Sequence, residues 1–229
     1  LSETEVFKNL EKVIRSADGR VIIAAFSSLL TRLHSLFEIA KKTNKKVVIS
    51  GRSLKMSISI ATKQGYIKIP KGLMIEEKDI RRYKDNQLMI LCTGSQGERF
   101  AALNRISLNE HKYIKIKDGD LVIMSSSEIP GNISKIEQMT DRLIALGADL
   151  VKDTMETRIH STGHGNQEDM KIMFDLVKPK AVMPIHGPLT FRYFNKKNYI
   201  SWGMKKENVF LTDDGSTWIF NGKNWKQGR

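Results

Sequence analysis

Short apolar runs, each followed by small polar residues, are the feature that most restricts the fold of this chain. Four such runs are Val21–Phe26, Lys46–Ile49, Gln87–Cys92 and Leu121–Met124. Runs of this length bounded by turn residues are typical of buried strands, and segments with apolar residues at helical spacing lie between them. Strands that alternate with helices predict an α/β fold with a mainly parallel sheet flanked by helices.

The loops that follow these runs share one chemistry. They are rich in serine, threonine and glycine: Ser27-Ser28, Ser50–Ser53, Thr93–Gly97 and Ser125–Ser127. Small residues between a strand and a helix expose backbone N–H groups, and together with a helix N-terminus these groups bind anions. The pattern therefore favours a phosphodiester ligand. The alternative is that small residues are present only because they make tight turns.

The charge of the chain points the same way. Lys and Arg number 38 against 25 Asp and Glu, which gives a net charge of +13 and a pI near 9.7. A basic excess of this size favours a polyanionic partner, although a solvated lysine-rich surface also explains it. No apolar run approaches the roughly 18 residues of a membrane span, so we expect no membrane partner.

The C-terminal third has a less regular pattern. We predict helices over 134–146 and 166–177 because apolar residues recur there at helical spacing. Short apolar runs predict strands over Asp149–Val151 and Ala181–Ile185, and two β segments around a turn at Asp213–Gly215. The two segments are Val209–Leu211 and Thr217–Ile219.

Three of the five histidines lie close together in the sequence, at His160, His164 and His186. Neutral imidazole is the commonest metal ligand and a proton donor near neutral pH, so one histidine is a candidate metal ligand and another a candidate proton donor. The alternative is that each histidine caps a turn. His34 and His111 lack a comparable setting, and we assign them to surface or packing. A zinc site needs three or four ligands, and the chain holds no His-x-His-x-Asp-His motif to complete one.

Four segments in this order resemble ribonuclease J, a member of the β-CASP group of the metallo-β-lactamase superfamily. They are Thr93–Glu98, Ser127–Asn132, His160–Asp169 and Pro184–Gly187. The resemblance covers essentially the whole chain. It implies a β-CASP domain over residues 1–148 and the C-terminal portion of a metallo-β-lactamase αββα domain over residues 149–229.

The resemblance also implies a function for a longer parent protein. The family consists of cytoplasmic ribonucleases for RNA processing and decay, which act as endonucleases and as 5′–3′ exonucleases with two zinc ions and an activated water. The chain begins at Leu1 rather than Met, and we expect the motif-bearing N-terminal part to lie upstream. The implied partners are RNA and, for the full-length protein, a second copy or a paralogous subunit. We expect the chain alone to be inactive.

Carried over residue by residue, the resemblance implies roles for two histidines and two loops. His186 matches the last zinc-binding histidine, and His164 matches the histidine that contacts the scissile phosphate and assists proton transfer. The family's substrate-binding segment corresponds to His160, Ser161, Thr162, Gly163 and His164. The loop for the RNA 5′-monophosphate corresponds to Ser27, Ser28 and Leu29.

The chain departs from the family pattern at four places. Leu29 stands where the family has Asn, Thr162 replaces Ser, Arg99 replaces Pro and Pro188 replaces Glu. Loss of the carboxylate after His186 would remove support for that imidazole. These departures keep open a diverged, non-catalytic RNA-binding or scaffold paralogue. A β-CASP nuclease of DNA repair is a further alternative, but the residues around His164 resemble ribonuclease J more closely.

Overall fold

The computed structural model describes residues 2–161 and 165–228. The chain divides into two compact units, an N-terminal unit (Leu1–Thr162) and a C-terminal unit (Gly163–Arg229). In the N-terminal unit the helices are α1 Glu3–Arg15, α2 Leu30–Lys42, α3 Arg52–Lys63, α4 Ala102–Ser107 and α5 Ile133–Ala145. Its strands are β1 Val21–Ala24, β2 Lys46–Ser50, β3 Met74–Ile75, β4 Leu88–Cys92, β5 Leu121–Met124 and β6 Asp149–Lys152. Short 3-10 helices cover Glu77–Arg82, Asp85–Gln87 and Pro130–Asn132.

The six strands form one sheet in the order β3-β2-β4-β1-β5-β6, and every neighbouring pair is parallel. The prediction of an α/β fold with a parallel sheet is confirmed. β6 pairs with β5 from Leu121↔Asp149 to Met124↔Lys152. The strand that opens the second predicted domain therefore lies in the sheet of the N-terminal unit, and the domain assignment at residues 148 and 149 stays a prediction.

Alternate side chains of each strand point to opposite faces of the sheet, so both faces must be covered. On one face Ile23 and Val47 pack with residues of α1, α2 and α3. On the other face Ile22 and Val48 pack with residues of α4 and α5. The result is a sheet between two helical layers, in which every residue of the strands β1 and β4 is buried.

The helix starts follow from local sequence. Ser2 and Glu5 form the capping box of α1: the backbone N–H of Glu5 bonds to Ser2 Oγ, and the backbone N–H of Ser2 bonds to the Glu5 carboxylate. Asn166 and Asp169 make the same motif at the start of the first C-terminal helix. These caps satisfy backbone donors that the first helical turn leaves without partners.

The C-terminal unit contains α6 (Gln167–Val177), α7 (Leu189–Ser201), a 3-10 helix at Lys206–Asn208 and a hairpin of β7 (Trp218–Phe220) with β8 (Trp225–Gln227). The predicted strand over Ala181–Ile185 is wrong: only Val182 makes a bridge, to Val209. Pro184 lacks the N–H that would extend this ladder.

Of the two β segments predicted in the tail, Thr217–Ile219 overlaps β7, whereas Val209–Leu211 forms no strand and makes only the bridge of Val209 to Val182. β7 pairs with β8 and not with Val209–Leu211, because the tight turn lies later in the sequence. Asn221 Oδ1 accepts hydrogen bonds from the backbone N–H groups of Lys223 and Asn224, at 3.0 and 2.8 Å. Such an Asx turn reverses the chain directly between the two aromatic-rich strands. In the part of the chain that the structure describes, no helix is long and apolar enough to cross a membrane.

Candidate nucleic-acid interface

The polar loops of the N-terminal unit gather at one edge of its sheet. All six strands are parallel, so the loops that follow β1, β2, β4, β5 and β6 leave the sheet at its C-terminal edge. Ligand sites of open α/β sheets lie at this edge. Residues that are far apart in sequence, such as Phe26 and His160, therefore come close: their ring centroids are 6.3 Å apart.

A buried arginine holds the start of the histidine segment in place. Arg32, on α2, is fully buried, and its guanidinium donates to the backbone carbonyl of Ile159 at 3.0 Å and to Ser125 Oγ. Ser125 Oγ donates to the same Ile159 carbonyl at 2.9 Å. A buried charge is stable only when it is paired and its donors are satisfied.

The charge of Arg32 is balanced by Glu3 at the start of α1. Two guanidinium nitrogens reach the Glu3 carboxylate at 3.1 and 2.8 Å, and Ser161 Oγ donates to the same carboxylate. Burial raises the pKa of Glu3, but the hydrogen bonds from Arg32 and Ser161 outweigh burial, so the net pKa lies below its usual value. Glu3 is thus ionised at neutral pH and ties Arg32 to Ser161.

His160 is itself buried beside this network. Its backbone N–H donates to Asp153 Oδ1 at 2.8 Å, and burial together with the nearby Arg32 charge lowers the pKa of its imidazole. The backbone of Ser125 and the carboxylates of Asp153 and Glu3 oppose that shift. The imidazole is therefore neutral near pH 7. Among residues 2–161 and 165–228, none forms a hydrogen bond with its buried Nδ1, and a buried polar atom ordinarily has a partner.

A second set of contacts joins the loops after β4 and β5. Gln96 donates from Nε2 to the Ser127 carbonyl at 2.9 Å and accepts from the Ile129 backbone N–H at 3.0 Å. Gly97 packs so tightly that an added Cβ would lie 2.8 Å from the backbone of Lys135. A cavity of about 290 Å³ lies beside these loops, lined by Ser95, Met124, Ser126, Ser127, Glu128, Lys152 and Asp153.

The structure places the candidate residues as follows. Ser27 and Leu29 are partly exposed and Ser28 is exposed, in the turn that precedes α2. Leu29 occupies the N-cap position of α2 and provides no side-chain hydrogen bond there. His160 and Ser161 share the N-terminal unit with this loop, and the Phe26–His160 contact brings the two loops together. Thr162, Gly163 and His164 lie outside the described residues.

His186 belongs to the C-terminal unit. Its side chain is exposed, and its backbone has φ of +61°, in the left-handed region that non-glycine residues rarely adopt. Such backbone conformations cost free energy and are common at functional sites. Within residues 2–161 and 165–228, no three His, Cys, Asp or Glu side chains come together in a way that could hold a metal ion.

Arg32, Glu3 and Asp153 were missed by the sequence analysis. Arg32 did leave a signal, because a charged residue stands four residues before Leu36 and seven before Ile39, both fully buried on the same helix. A charge in an apolar stripe predicts a buried ion pair. Glu3 and Asp153 left no comparable signal, since their partners are distant in sequence.

Comparison with known proteins gives the class of the N-terminal unit. Residues 18–143 match the family described as "Ribonuclease J, beta-CASP domain". This match and the six-stranded parallel sheet with helices on both faces define a β-CASP domain.

Individual relatives extend the similarity beyond that domain. Ribonuclease J 1 of Streptococcus pyogenes is 37% identical over 214 residues, which cover 93% of this chain and 38% of that protein. Ribonuclease J of Mycoplasma genitalium is 35% identical, with the same coverage of 93% and 38%. Ribonuclease J of Helicobacter pylori is 36% identical over 93% of this chain and 31% of its own length. The chain belongs to the ribonuclease J family, and it spans between 31% and 38% of the length of these relatives.

Proposed function

We propose that this chain is part of a metal-dependent ribonuclease that hydrolyses RNA phosphodiesters during RNA processing and decay, both internally and from the 5′ end. The observation that carries the proposal is the match of residues 18–143 to the β-CASP domain of ribonuclease J. The basic charge of +13 supports an RNA substrate. The proposed site of action is the cytoplasm, in an assembly with a second copy or a paralogous subunit.

The proposed roles fall on residues of both units. His186 would hold one of two zinc ions, and its exposed imidazole is a donor that zinc prefers. Zinc, when bound, lowers the pKa of a water for attack on phosphorus. His164, with His160, Ser161, Thr162 and Gly163, would steady the phosphate and assist proton transfer. Ser27, Ser28 and Leu29 would receive the 5′-monophosphate.

The hydrogen bonds around Arg32 support the phosphate-binding role of this segment. A phosphate-binding segment requires a backbone that is held in place before the ligand arrives. Arg32 fixes the Ile159 carbonyl, Asp153 fixes the His160 backbone N–H, and Glu3 fixes the Ser161 hydroxyl. Side chains from α1, α2 and the segment after β6 thus hold residues 159–161, which stand directly before residues 162–164 in the sequence.

The surface of the C-terminal unit supports the view that residues 149–229 complete a larger catalytic domain. Neither α6 nor α7 buries a residue, and large apolar side chains stand exposed on or next to them. They include Ile172, Leu176, Ile185, Leu189, Phe191 and Phe194. Large exposed apolar surfaces mark interaction sites. The proposed cover is the part of the metallo-β-lactamase domain that bears the His-x-His-x-Asp-His motif.

A substitution of His186 in the full-length protein tests the proposal. With zinc or manganese present, His186→Ala should abolish hydrolysis of a 5′-monophosphorylated RNA, because one metal ligand is lost. Binding of the same RNA should persist. His34→Ala is the matched control, since His34 is also exposed but lies on α2. Turnover by His186→Ala equal to that of the unsubstituted protein would reject the assignment.

A non-catalytic scaffold is the second candidate. The departures at Leu29, Arg99 and Pro188 favour it, since Leu29 offers no polar group to a phosphate and Pro188 begins α7 without a carboxylate. Full-length protein should be incubated alone with 5′-monophosphorylated RNA and zinc or manganese. Robust cleavage excludes the scaffold, whereas RNA binding without cleavage supports it.

A further inference from the structure

A larger cavity lies at the same edge of the sheet, away from the histidine segment. It encloses about 890 Å³ between the start of α3, the loop after β4 and the segment that follows α4. None of its lining residues belongs to the loops assigned above to the 5′ end or to the reaction. Its wall carries four basic side chains: Arg52, Lys55, Arg105 and Lys112.

The carboxylates in this wall only partly offset those charges. Glu77 is already paired with Lys55, at 3.2 Å, and Glu98 accepts the backbone N–H of Gln96 at 3.1 Å. Arg52 and Lys112 are both exposed and lie in the same wall. The cavity therefore presents a net positive wall to solvent, which favours a ligand with several negative charges.

At the floor of the cavity, His111 and Ser50 are joined by hydrogen bonds. His111 is buried, and its Nδ1 accepts the backbone N–H groups of Tyr113 and Ile114 at 3.3 and 3.1 Å. Since Nδ1 is an acceptor, Nε2 carries the hydrogen of the neutral ring, and this N–H donates a hydrogen bond to Ser50 Oγ at 2.9 Å. Burial, with Arg105, Lys115 and Lys55, lowers the pKa of His111 against the opposing charge of Glu77. The Ser50 hydroxyl keeps its own proton to donate to a group in the cavity.

The backbone at the start of α3 adds further donors. Gly51 has φ of +122°, and an added Cβ would lie 2.5 Å from Thr93 Oγ1, so only glycine fits. No side chain caps α3 at this position. Gly51, Arg52 and Ser53 line the cavity, so the uncapped N–H groups of the first turn lie beside it, and such groups bind phosphate oxygens.

Two aromatic rings complete the wall. Phe100 is 84% exposed and Tyr113 is 40% exposed, and both line the cavity. Arg99 lies 5.4 Å from the Phe100 ring centroid, and Lys112 lies 5.1 Å from that of Tyr113. Exposed rings among basic side chains are typical of binding sites for single-stranded nucleic acid, because the bases stack on the rings and the cations bind the phosphates.

We propose that this cavity binds a single-stranded segment of RNA, with its phosphates on Arg52, Lys112 and the start of α3 and a base on Phe100. The proposal rests on RNA being the substrate and adds a contact remote from the 5′ end. An inorganic polyphosphate would use the cations and the helix start but would not need the rings. The rings therefore favour RNA over a free phosphate.

Binding of a short RNA to the 229-residue chain tests the site. The probe is an octauridylate with a 5′-hydroxyl and a 3′-fluorescein, so the 5′-monophosphate loop has no ligand, and fluorescence anisotropy is measured over a range of salt. Arg52→Ala with Lys112→Ala should weaken binding and make the log–log salt slope shallower by about 1.4, or about 0.7 for each lost phosphate contact. Lys8→Ala with Lys41→Ala is the control, since these exposed lysines remove the same charge outside the cavity.

A second variant separates RNA from a free phosphate. Phe100→Leu should weaken octauridylate binding at least about fivefold, because stacking of a base on an aromatic ring contributes about 1–3 kcal/mol. It should leave competition by pyrophosphate unchanged. The proposal is overturned if the Arg52/Lys112 pair weakens binding no more than the control pair, or if Phe100→Leu has no effect on RNA.

The test of the RNA-binding cavity can fail or succeed independently of the test of nuclease activity. Loss of cleavage in the full-length His186→Ala protein with no cavity-dependent binding would reject the cavity and keep the nuclease. Cavity-dependent binding with cleavage unaffected by His186→Ala would keep the cavity and reject the metal-ligand assignment.

Discussion

The two units of this chain use similar sequence patterns with different results. In the N-terminal unit the apolar faces of α1 and α2 are covered, and Leu10 and Leu36 are fully buried. In the C-terminal unit α6 carries a comparable apolar stripe, with Met170, Met173, Phe174 and Val177 at helical spacing, yet it buries no residue. Amphipathic pattern alone therefore specifies a helix, and burial requires a second layer for the helix to pack against.

Aromatic rings pack against one another inside the C-terminal unit. Phe174, Tyr199 and Trp202 form one cluster, and Phe210, Trp218 and Trp225 form another. All three tryptophans, at positions 202, 218 and 225, lie in this unit. Tryptophan fluorescence therefore reports on the C-terminal unit alone, which allows the stabilities of the two units to be compared in one protein.

The largest difference between the two units is expected in how much an ion pair contributes to the free energy of unfolding. Arg20 and Asp120 are buried in the N-terminal unit and bond through two oxygens, with Arg20 Nε to Asp120 Oδ1 at 2.8 Å. Arg20→Met leaves the Asp120 carboxylate buried without its partner, and this should cost about 3–5 kcal/mol of unfolding free energy. Urea unfolding followed by far-UV circular dichroism measures the loss.

The matching pair in the C-terminal unit should contribute little. Lys171 and Asp175 are four residues apart on α6, with Lys171 Nζ 2.6 Å from Asp175 Oδ2, and their side chains are 42% and 55% exposed. Lys171→Met should change stability by no more than about 0.5 kcal/mol, because water screens the pair. Similar losses from Arg20→Met and Lys171→Met would break the contrast between a buried and an open unit.

A smaller effect is expected at the start of α6. Asn166 accepts the backbone N–H groups of Glu168 and Asp169 through its Oδ1, at 2.8 and 3.1 Å. Asn166→Ala removes both bonds and should lower the stability of the C-terminal unit by about 1 kcal/mol. Tryptophan fluorescence in urea should detect the loss. Asn166→Asp is the control, since aspartate also caps and adds a favourable charge at the helix start.

Acid should affect the N-terminal unit through its buried histidines. Burial lowers the pKa of His111. The charges of Arg105, Lys115 and Lys55 add to this shift, and that of Glu77 opposes it. The folded protein therefore binds a proton at His111 less readily than the unfolded chain, in which the pKa of the imidazole lies near 6.5. Stability is then complete above pH 6.5 and falls as the pH drops toward the folded pKa. His160 acts in the same direction.

Urea midpoints at pH 7.5 and 5.5 measure this dependence. In His111→Gln the difference between the two midpoints should shrink without vanishing, because His160 still titrates. His34→Gln is the control, as His34 is exposed. An unchanged difference in His111→Gln would show that His111 does not contribute to the acid sensitivity of the N-terminal unit.

The sequence predicted what depends on neighbouring residues and missed what depends on distant ones. The strands at Val21–Ala24 and Leu121–Met124 were visible as local apolar runs. The bonds from Arg32 to Ser125 and Ile159 join residues 93 and 127 positions apart, which no local pattern encodes. α7 was not predicted, because its apolar and polar residues do not form one clear stripe.

The candidate site divides along the same line. Short motifs identified His160, Ser161 and His186, since these segments are contiguous in sequence. Glu3, which accepts from both Arg32 and Ser161, lies 158 positions before Ser161 and was invisible to motif analysis. The basic cavity was predicted in part, because Ser50–Ser53 and Thr93 belong to loops whose small residues favoured a phosphodiester ligand. Lys112 was missed, because it lines the same cavity as Arg52 only through the order of the strands.

The smallest effect in this chain is expected at Leu176 on α6, which is 75% exposed. Leu176→Ala should change the unfolding free energy of the C-terminal unit by no more than about 0.5 kcal/mol, because it removes few contacts. In the full-length protein the same substitution should cost about 2–5 kcal/mol if the proposed remainder of the catalytic domain covers this face. Tryptophan fluorescence in urea on both proteins measures the difference, with Glu168→Ala as an exposed control on the same helix. A loss that is equally small in both would show that Leu176 stays uncovered, and the apolar face of α6 would then no longer support a larger catalytic domain.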